Sequence, residues 1–212
     1  MADNYVKKGR PKAVIDSKLR QIIVQEAGRL FLMKGYGATT TEEIAAQCKI
    51  SKQTLYRLFA GKIALFGAVI ELKRPQWLNM QVPDNLPLQT TLEMFFRIDI
   101  SEGEETERIQ FLEMTLAEGR LYPELSEVLK KCGSEEAHRA LADWMQQQAD
   151  MGRIRLSGDA LSTARMLADM VFGSLLSWTV GDVEWRRGEA RRQHIGAVIQ
   201  VFLHGVSCQF DP

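Results

Sequence analysis

Cysteine, proline, net charge and long apolar runs are all scarce in this chain. Its three cysteines, Cys48, Cys132 and Cys208, are too scattered for a disulfide framework. They form no CxxC, which excludes zinc ribbons and thioredoxin-like sites, and their odd number points to a reducing compartment. Proline is absent from 12–74 and from 124–211, so long uninterrupted helices are permitted there. The most apolar stretch, 166–180, is too short to span a bilayer and carries Asp169. The polar, basic start lacks the apolar core of a secretory leader. A cytoplasmic protein with no membrane partner is expected. No Gly-x-Ser-x-Gly, P-loop or dinucleotide fingerprint occurs, so no catalytic residue and no cofactor are expected. The pair Glu135-x-x-His138 occurs once, where a di-iron bundle needs two copies, so no metal is expected either.

The zero net charge, 27 basic against 27 acidic residues, hides a division. Residues 1–75 carry a net charge of +8 and residues 76–212 a net charge of −8. A basic segment on an acidic remainder is a footprint of polyanion binding. The Pro-, Asn- and Asp-rich stretch from Lys73 to Pro87 reads as the boundary, with a helix stop at Pro75.

What the chain does have is helical periodicity, and the fold class expected is all-α. Ile15, Leu19, Ile22, Ile23, Ala27, Leu30 and Phe31 recur at three- and four-residue steps, ending at Lys34-Gly35. Thr40 with Glu43 forms a capping box for a short helix. Ser51 caps another, from Lys52 to Leu58, and a further helix runs from Lys62 to Lys73. Helices are also expected over 88–101, 104–117, 123–131, 134–151, 159–180 and 189–206.

Two short helices joined by a tight turn, with a longer helix before them, form the helix-turn-helix layout. The second helix must enter the major groove while its neighbours hold phosphates. Gln53 and Thr54 are placed to read bases, and Lys52, Tyr56 and Arg57 to hold the backbone. Thr40 and Thr41, at a helix N-terminus, and Lys62, at the start of the next helix, are further phosphate points. Upstream, Lys8 and Lys12 flank the Gly-Arg-Pro centre at Arg10, similar to the AT-hook, an extended arm suited to an A·T minor groove.

In this region the chain resembles the TetR/AcrR-type regulators. The residues that carry the resemblance are Gly35-Tyr36-x-Ala38-Thr39-Thr40, Glu43-Ile44-Ala45, Ile50-Ser51-Lys52-x-Thr54-Leu55-Tyr56-Arg57-x-Phe59 and Lys62-x-x-Leu65-Phe66. The match covers about residues 17–74. A weaker similarity to one subgroup lies at Glu118-Gly119-x-x-Tyr122-Pro123-Glu124-Leu125 and at Met151-Gly152-Arg153-Ile154-Arg155. The resemblance implies an all-α homodimeric transcriptional regulator, usually a repressor, whose C-terminal domain binds a small ligand and dimerises. Three positions depart from the family pattern. Lys49 stands where the turn usually carries Gly; if left-handed it costs ~1 kcal/mol and offers a phosphate contact. Leu58 replaces a Tyr or His, and Ile63 an acidic residue.

The expected organisation is a basic flexible arm over 1–16, a DNA-binding domain over 17–75 and a ligand-binding and dimerisation domain over 76–212. Leu161, Ala164, Ala168, Val171, Leu175 and Trp178 form a coiled-coil-like seam. Ile195, Val198, Phe202 and Val206 repeat it on the last helix. Because the first of these helices is apolar nearly all round, both are predicted to build a four-helix dimer interface. Phe95, Phe96, Phe111, Met114, Trp144, Met145, Met166, Met170 and Phe172 are candidates to line an apolar ligand cavity. The acidic balance of this domain favours neutral or cationic lipophiles. The partners expected are a palindromic double-stranded DNA operator, a second copy of the chain and a small lipophilic ligand. The competing reading is a ligand-independent architectural or cell-division DNA binder on the same fold.

Overall fold

The computed structural model describes residues 12–79, 81, 85–176 and 188–206. Among them are ten α-helices and no extended strand: α1 Lys12–Lys34, α2 Thr41–Gln47, α3 Lys52–Leu58, α4 Lys62–Trp77, α5 Leu88–Phe95, α6 Glu102–Glu118, α7 Pro123–Leu129, α8 Glu135–Asp150, α9 Ala160–Leu176 and α10 Gly188–Val206. A π-helical turn, Lys130–Ser134, carries α7 directly into α8. None of the described helices is long and apolar enough to cross a membrane.

The ends of these helices follow local chemistry. Thr40 Oγ1 accepts the Glu43 amide, and Ser51 Oγ accepts the Thr54 amide, each relieving an unpaired donor of a first turn. Ser101 and Glu104 form a reciprocal capping box that starts α6. Other ends differ from expectation. The first helix starts at Lys12, inside the expected 1–16 arm, and Asp16 is held by both terminal nitrogens of Arg57, at 2.7 and 2.9 Å. The fourth helix runs through Pro75 to Trp77, since proline's fixed φ is helical and one lost amide bond is tolerated. The fifth ends at Phe95 because Arg97 turns left-handed at φ 48°.

Two apolar clusters organise the chain. The first joins α1 to α4 through Ile23, Phe31, Ile44, Leu55, Phe66 and Val69, and takes in Phe111 of α6 and Leu125 of α7. Phe66 and Phe111 stack with centroids 5.5 Å apart, so the N-terminal helices α1–α4 and the helices that follow share one core. The second gathers α5, α8, α9 and α10 around Leu92, Phe96, Met145, Leu167 and Ile199.

Candidate nucleic-acid interface and internal cavity

The short helices α2 and α3 bury Ile44, Ala45 and Leu55 and present their polar sides outward. The turn between them is closed by Lys49, at φ 54°, the left-handed conformation that its replacement of Gly implies. Lys49, Lys52 and Gln53 are exposed, as are Thr40, Tyr56 and Arg57. Among the described residues, the side chains of Lys49 and Gln53 have no partner. Lys52 pairs with Glu42, and Arg57 lies in the bidentate pair with Asp16. Both cations therefore carry a competing carboxylate before any phosphate arrives. Thr54 is half-buried, its hydroxyl 2.9 Å from Ser51 Oγ.

At two expected phosphate points, Thr41 and Lys62, the side chain faces inward; at Thr41 the expected contact is the backbone N–H of the α2 N-terminus, which the side chain's burial leaves unchanged. Thr41 is buried and its hydroxyl lies 3.0 Å from Tyr56 Oη, which pins α2 to α3. Lys62 Nζ donates to the carbonyls of Tyr36 (2.8 Å), Gly37 (3.3 Å) and Thr39 (2.9 Å) and sits over the Tyr36 ring. Burial pulls its ammonium below the usual lysine range, against the opposing carboxylates of Glu118 and Glu124. The spacing that puts a lysine at a helix start does not say which way it reaches; here the carbonyls of the α1–α2 turn capture it. Lys62→Ala is expected to lower unfolding stability by about 1–3 kcal/mol, because three carbonyls lose their donor. Its salt dependence of DNA binding should match the wild type; a slope smaller by about one in a titration series would restore the phosphate role. Lys8 and Arg10 lie outside the described residues, as does the side chain of Lys12.

The same turn is gripped from the other side. Glu118, the last residue of α6, accepts the amides of Tyr36 at 2.9 Å and Gly37 at 2.5 Å. Tyr122 packs edge-on to Tyr36, with centroids 5.3 Å apart. Burial, with Glu124 nearby, pushes the Tyr36 hydroxyl up to about 12. A Cβ at Gly37 would lie 2.7 Å from Tyr122 Oη, and Gly35 adopts φ 86°, so both glycines are required by this junction. The Glu118–Tyr122 segment was visible in the sequence as a motif without a role.

Between α4, α6, α7, α8 and α9 lies a cavity of about 350 Å³. Its wall is mainly apolar and includes Leu78, Leu112, Leu116 and Leu141. Of the nine side chains expected to line it, Phe95, Phe96 and Phe172 do. Phe111 and Met114 belong to the head cluster, and Trp144 and Met145 to the second core. Met166 and Met170 face solvent. Aromatic and methionine side chains fill cores as readily as they line cavities, and composition cannot separate the two.

The cavity wall also holds groups that sequence reasoning passed over. Arg108 lines it while being 2% exposed, and among the described residues its Nε, Nη1 and Nη2 have no hydrogen-bond partner. Burial draws its pKa down to about 10, with the Arg191 charge adding to the shift. Arg191 of α10 lies 3.3 Å from Glu105 of α6 and donates to the carbonyls of Phe96 and Arg97 at 3.0 Å each. His138 also lines the cavity, and burial lowers its pKa towards the neutral ring. No three metal-ligating side chains cluster among the described residues.

The expected dimer seam is turned inward. Ala164, Ala168 and Val171 of α9, and Ile195, Val198 and Phe202 of α10, are buried in the protomer's own core; Leu161 packs against it. A three-four stripe marks a face that must be covered, and here α8 and α5 cover it. The outward apolar residues are Met166 (58% exposed), Met170 (40%) and Val201 (63%). Trp178 and the side chains of Leu175 and Val206 lie outside the described residues.

Residues 23–69 match the family model described as bacterial regulatory proteins, tetR family. Residues 92–205, over half the chain, match that of the AefR-like transcriptional repressor C-terminal domain. The HTH-type transcriptional regulator QacR of Staphylococcus aureus is 32% identical over 78 residues, 37% of this chain and 42% of that protein. The regulator YuxN of Bacillus subtilis is 42% identical over 50 residues, 24% of this chain and 17% of its own length. Both matches span less than half of the curated relative. Among solved structures, a TetR-family transcriptional regulator from Mesorhizobium loti superposes with a TM-score of 0.65 at 24% identity, covering 91% of this chain and 98% of that one. The flavonoid-responsive regulator FrrA superposes at 0.66 with 24% identity, covering 91% and 99%. At such identities these structures show a shared fold.

Proposed function

Because the chain belongs to the TetR family of bacterial transcriptional regulators, a DNA-binding helix-turn-helix family, we propose that it is a homodimeric repressor released from a palindromic operator by a small lipophilic effector in its cavity. One observation carries the effector part: α6 borders the cavity through Arg108, Leu112 and Leu116, and its last residue, Glu118, holds the turn that leads into α2. A ligand that favours one position of α6 therefore acts on the head through two amide bonds, which is the differential interaction that release requires. The dimer reading rests on Met166, Met170 and Val201, large apolar side chains that are exposed among the described residues of α9 and α10. Two heads joined there present their α3 helices to major-groove segments about one helical turn, or a multiple of it, apart.

Binding of full-length protein to genomic fragments, read by gel shift, tests the operator. A palindromic site is expected, and Gln53→Ala should lose about 1–3 kcal/mol of discrimination at one base pair of each half-site. Uniform binding to all fragments would favour an architectural DNA binder instead.

A further inference from the structure

The chemistry of the cavity wall selects a class of ligand. Arg108 places a protonated guanidinium in it with no nitrogen hydrogen-bonded among the described residues, although the residue is 2% exposed. The carboxylate one turn earlier on the same helix is shared: Glu105 lies 3.3 Å from Arg191, accepts the Gly188 amide at 2.8 Å, and also acts on Arg108 through its charge. Arg74, another wall residue, pairs with Glu136 and donates to the Cys132 carbonyl at 2.7 Å. Among the described residues no Asp or Glu lines the cavity, whereas the cations Arg74, Arg108 and Lys130 do. The acidic balance of the domain thus lies outside this space, and the expectation of a neutral or cationic lipophile is reversed. Among the described residues two buried guanidiniums, Arg108 and Arg191, share one buried carboxylate, Glu105, and an entering anion offsets the excess positive charge in a low-dielectric site where the pairing is strong.

We infer that the cavity takes a lipophilic organic monoanion, a carboxylate seated on the Arg108 guanidinium with its apolar body against Phe95, Phe96 and Phe172. The inference rests on the reading of this cavity as the effector site and specifies what that site recognises. A planar guanidinium matches a carboxylate with two parallel N–H···O bonds. A monoanion balances the one excess buried charge, whereas a doubly charged phosphate would leave a charge of its own unpaired among leucines. The volume of about 350 Å³ lies at the small end of ligand sites, suited to a short alkyl chain or a fused ring pair.

Isothermal titration of the full-length protein with decanoate, decanol and decylammonium tests this. Decanoate is expected to bind the wild type about tenfold or more tightly than either of the others. Arg108→Met should bring decanoate down to the affinity of decanol while leaving decanol unchanged, and Arg108→Lys should keep the preference for the anion. The inference is overturned if decanol binds the wild type as tightly as decanoate, if Arg108→Met keeps the preference, or if none of the three binds. Should Arg108→Met fail to fold, the wild-type series decides alone. Operator release is measured separately. Equal binding of decanoate and decanol with release would keep the effector reading and discard the anion. Selective decanoate binding without release would keep the anion and discard the effector reading.

Discussion

Arg108→Met should raise the stability of the ligand-free protein and remove its thermal response to an organic anion. The guanidinium is buried with no hydrogen bond among the described residues, and it shares the one nearby carboxylate, Glu105, with Arg191. Replacing the excess buried charge with an apolar side chain of similar length removes a desolvation penalty, and exchanges of buried ionic groups for apolar ones run from neutral to about 1–4 kcal/mol stabilising. Methionine suits the site because Leu112, Leu116 and Phe96 already surround it and its thioether adapts to irregular gaps. For a chain of this size each kcal/mol moves the unfolding midpoint by roughly 2–4 °C. Scanning calorimetry with and without decanoate reads both halves. The wild type should melt lower alone and gain with the anion, since binding stabilises in proportion to the logarithm of ligand concentration over Kd. The variant should melt higher alone and not respond. A variant that melts lower in the absence of ligand would mean that Arg108 serves the fold, and the effector argument would lose its support. An internal charge that lowers stability fits the pattern of functional sites held at some cost to the fold.

Legibility in the sequence followed how local the cause was. Thr40 with Glu43 and Ser51 with Thr54 act across three residues, so the starts of α2 and α3 could be read directly. Lys49 was legible too, since a turn that wants a left-handed residue takes it whatever the side chain. The direction a side chain faces was not. Arg108 sits in Glu102–Glu118 among glutamates, where a charged residue reads as solvent-facing. It lies instead in a cavity wall built with Leu78, Phe96, Leu141 and Phe172, from segments far along the chain. Lys62 matched the family motif, yet it points into a turn that lies on the other side of α2 and α3 in the chain order. The stripes on α9 and α10 were correctly marked as needing cover, but a helix apolar on several faces does not say which face its own domain takes. Helix ends and apolar periods were therefore readable, while the cavity wall depended on packing between distant segments.

Glu118 is where the two parts of the molecule meet, and Glu118→Gln should separate ligand binding from DNA release. The carboxylate accepts two backbone amides, those of Tyr36 and Gly37, with one oxygen each. Glutamine keeps one acceptor oxygen and turns an NH2 towards the other amide, so one charge-assisted bond is lost and one donor is left facing a donor. The cost is about 1.5–3 kcal/mol before solvent reaches this half-buried contact, and less after it. Lys62 still holds the turn from α4, and the Tyr36–Tyr122 contact remains, so the head should stay folded. Arg108 stands nearly three helical turns away along α6, about 15 Å, so decanoate should bind the variant as it binds the wild type. What should fall is the ratio of operator affinities without and with the anion, from the roughly 5–150-fold typical of coupled sites towards one. Fluorescence anisotropy of labelled operator, with parallel calorimetry of decanoate, measures the two quantities independently. A full-sized response in Glu118→Gln would place the coupling elsewhere, in the shared Phe66–Phe111 core or in α4 itself. A lost response with intact anion binding would identify the α6 terminus as the element through which the cavity acts on the recognition helix.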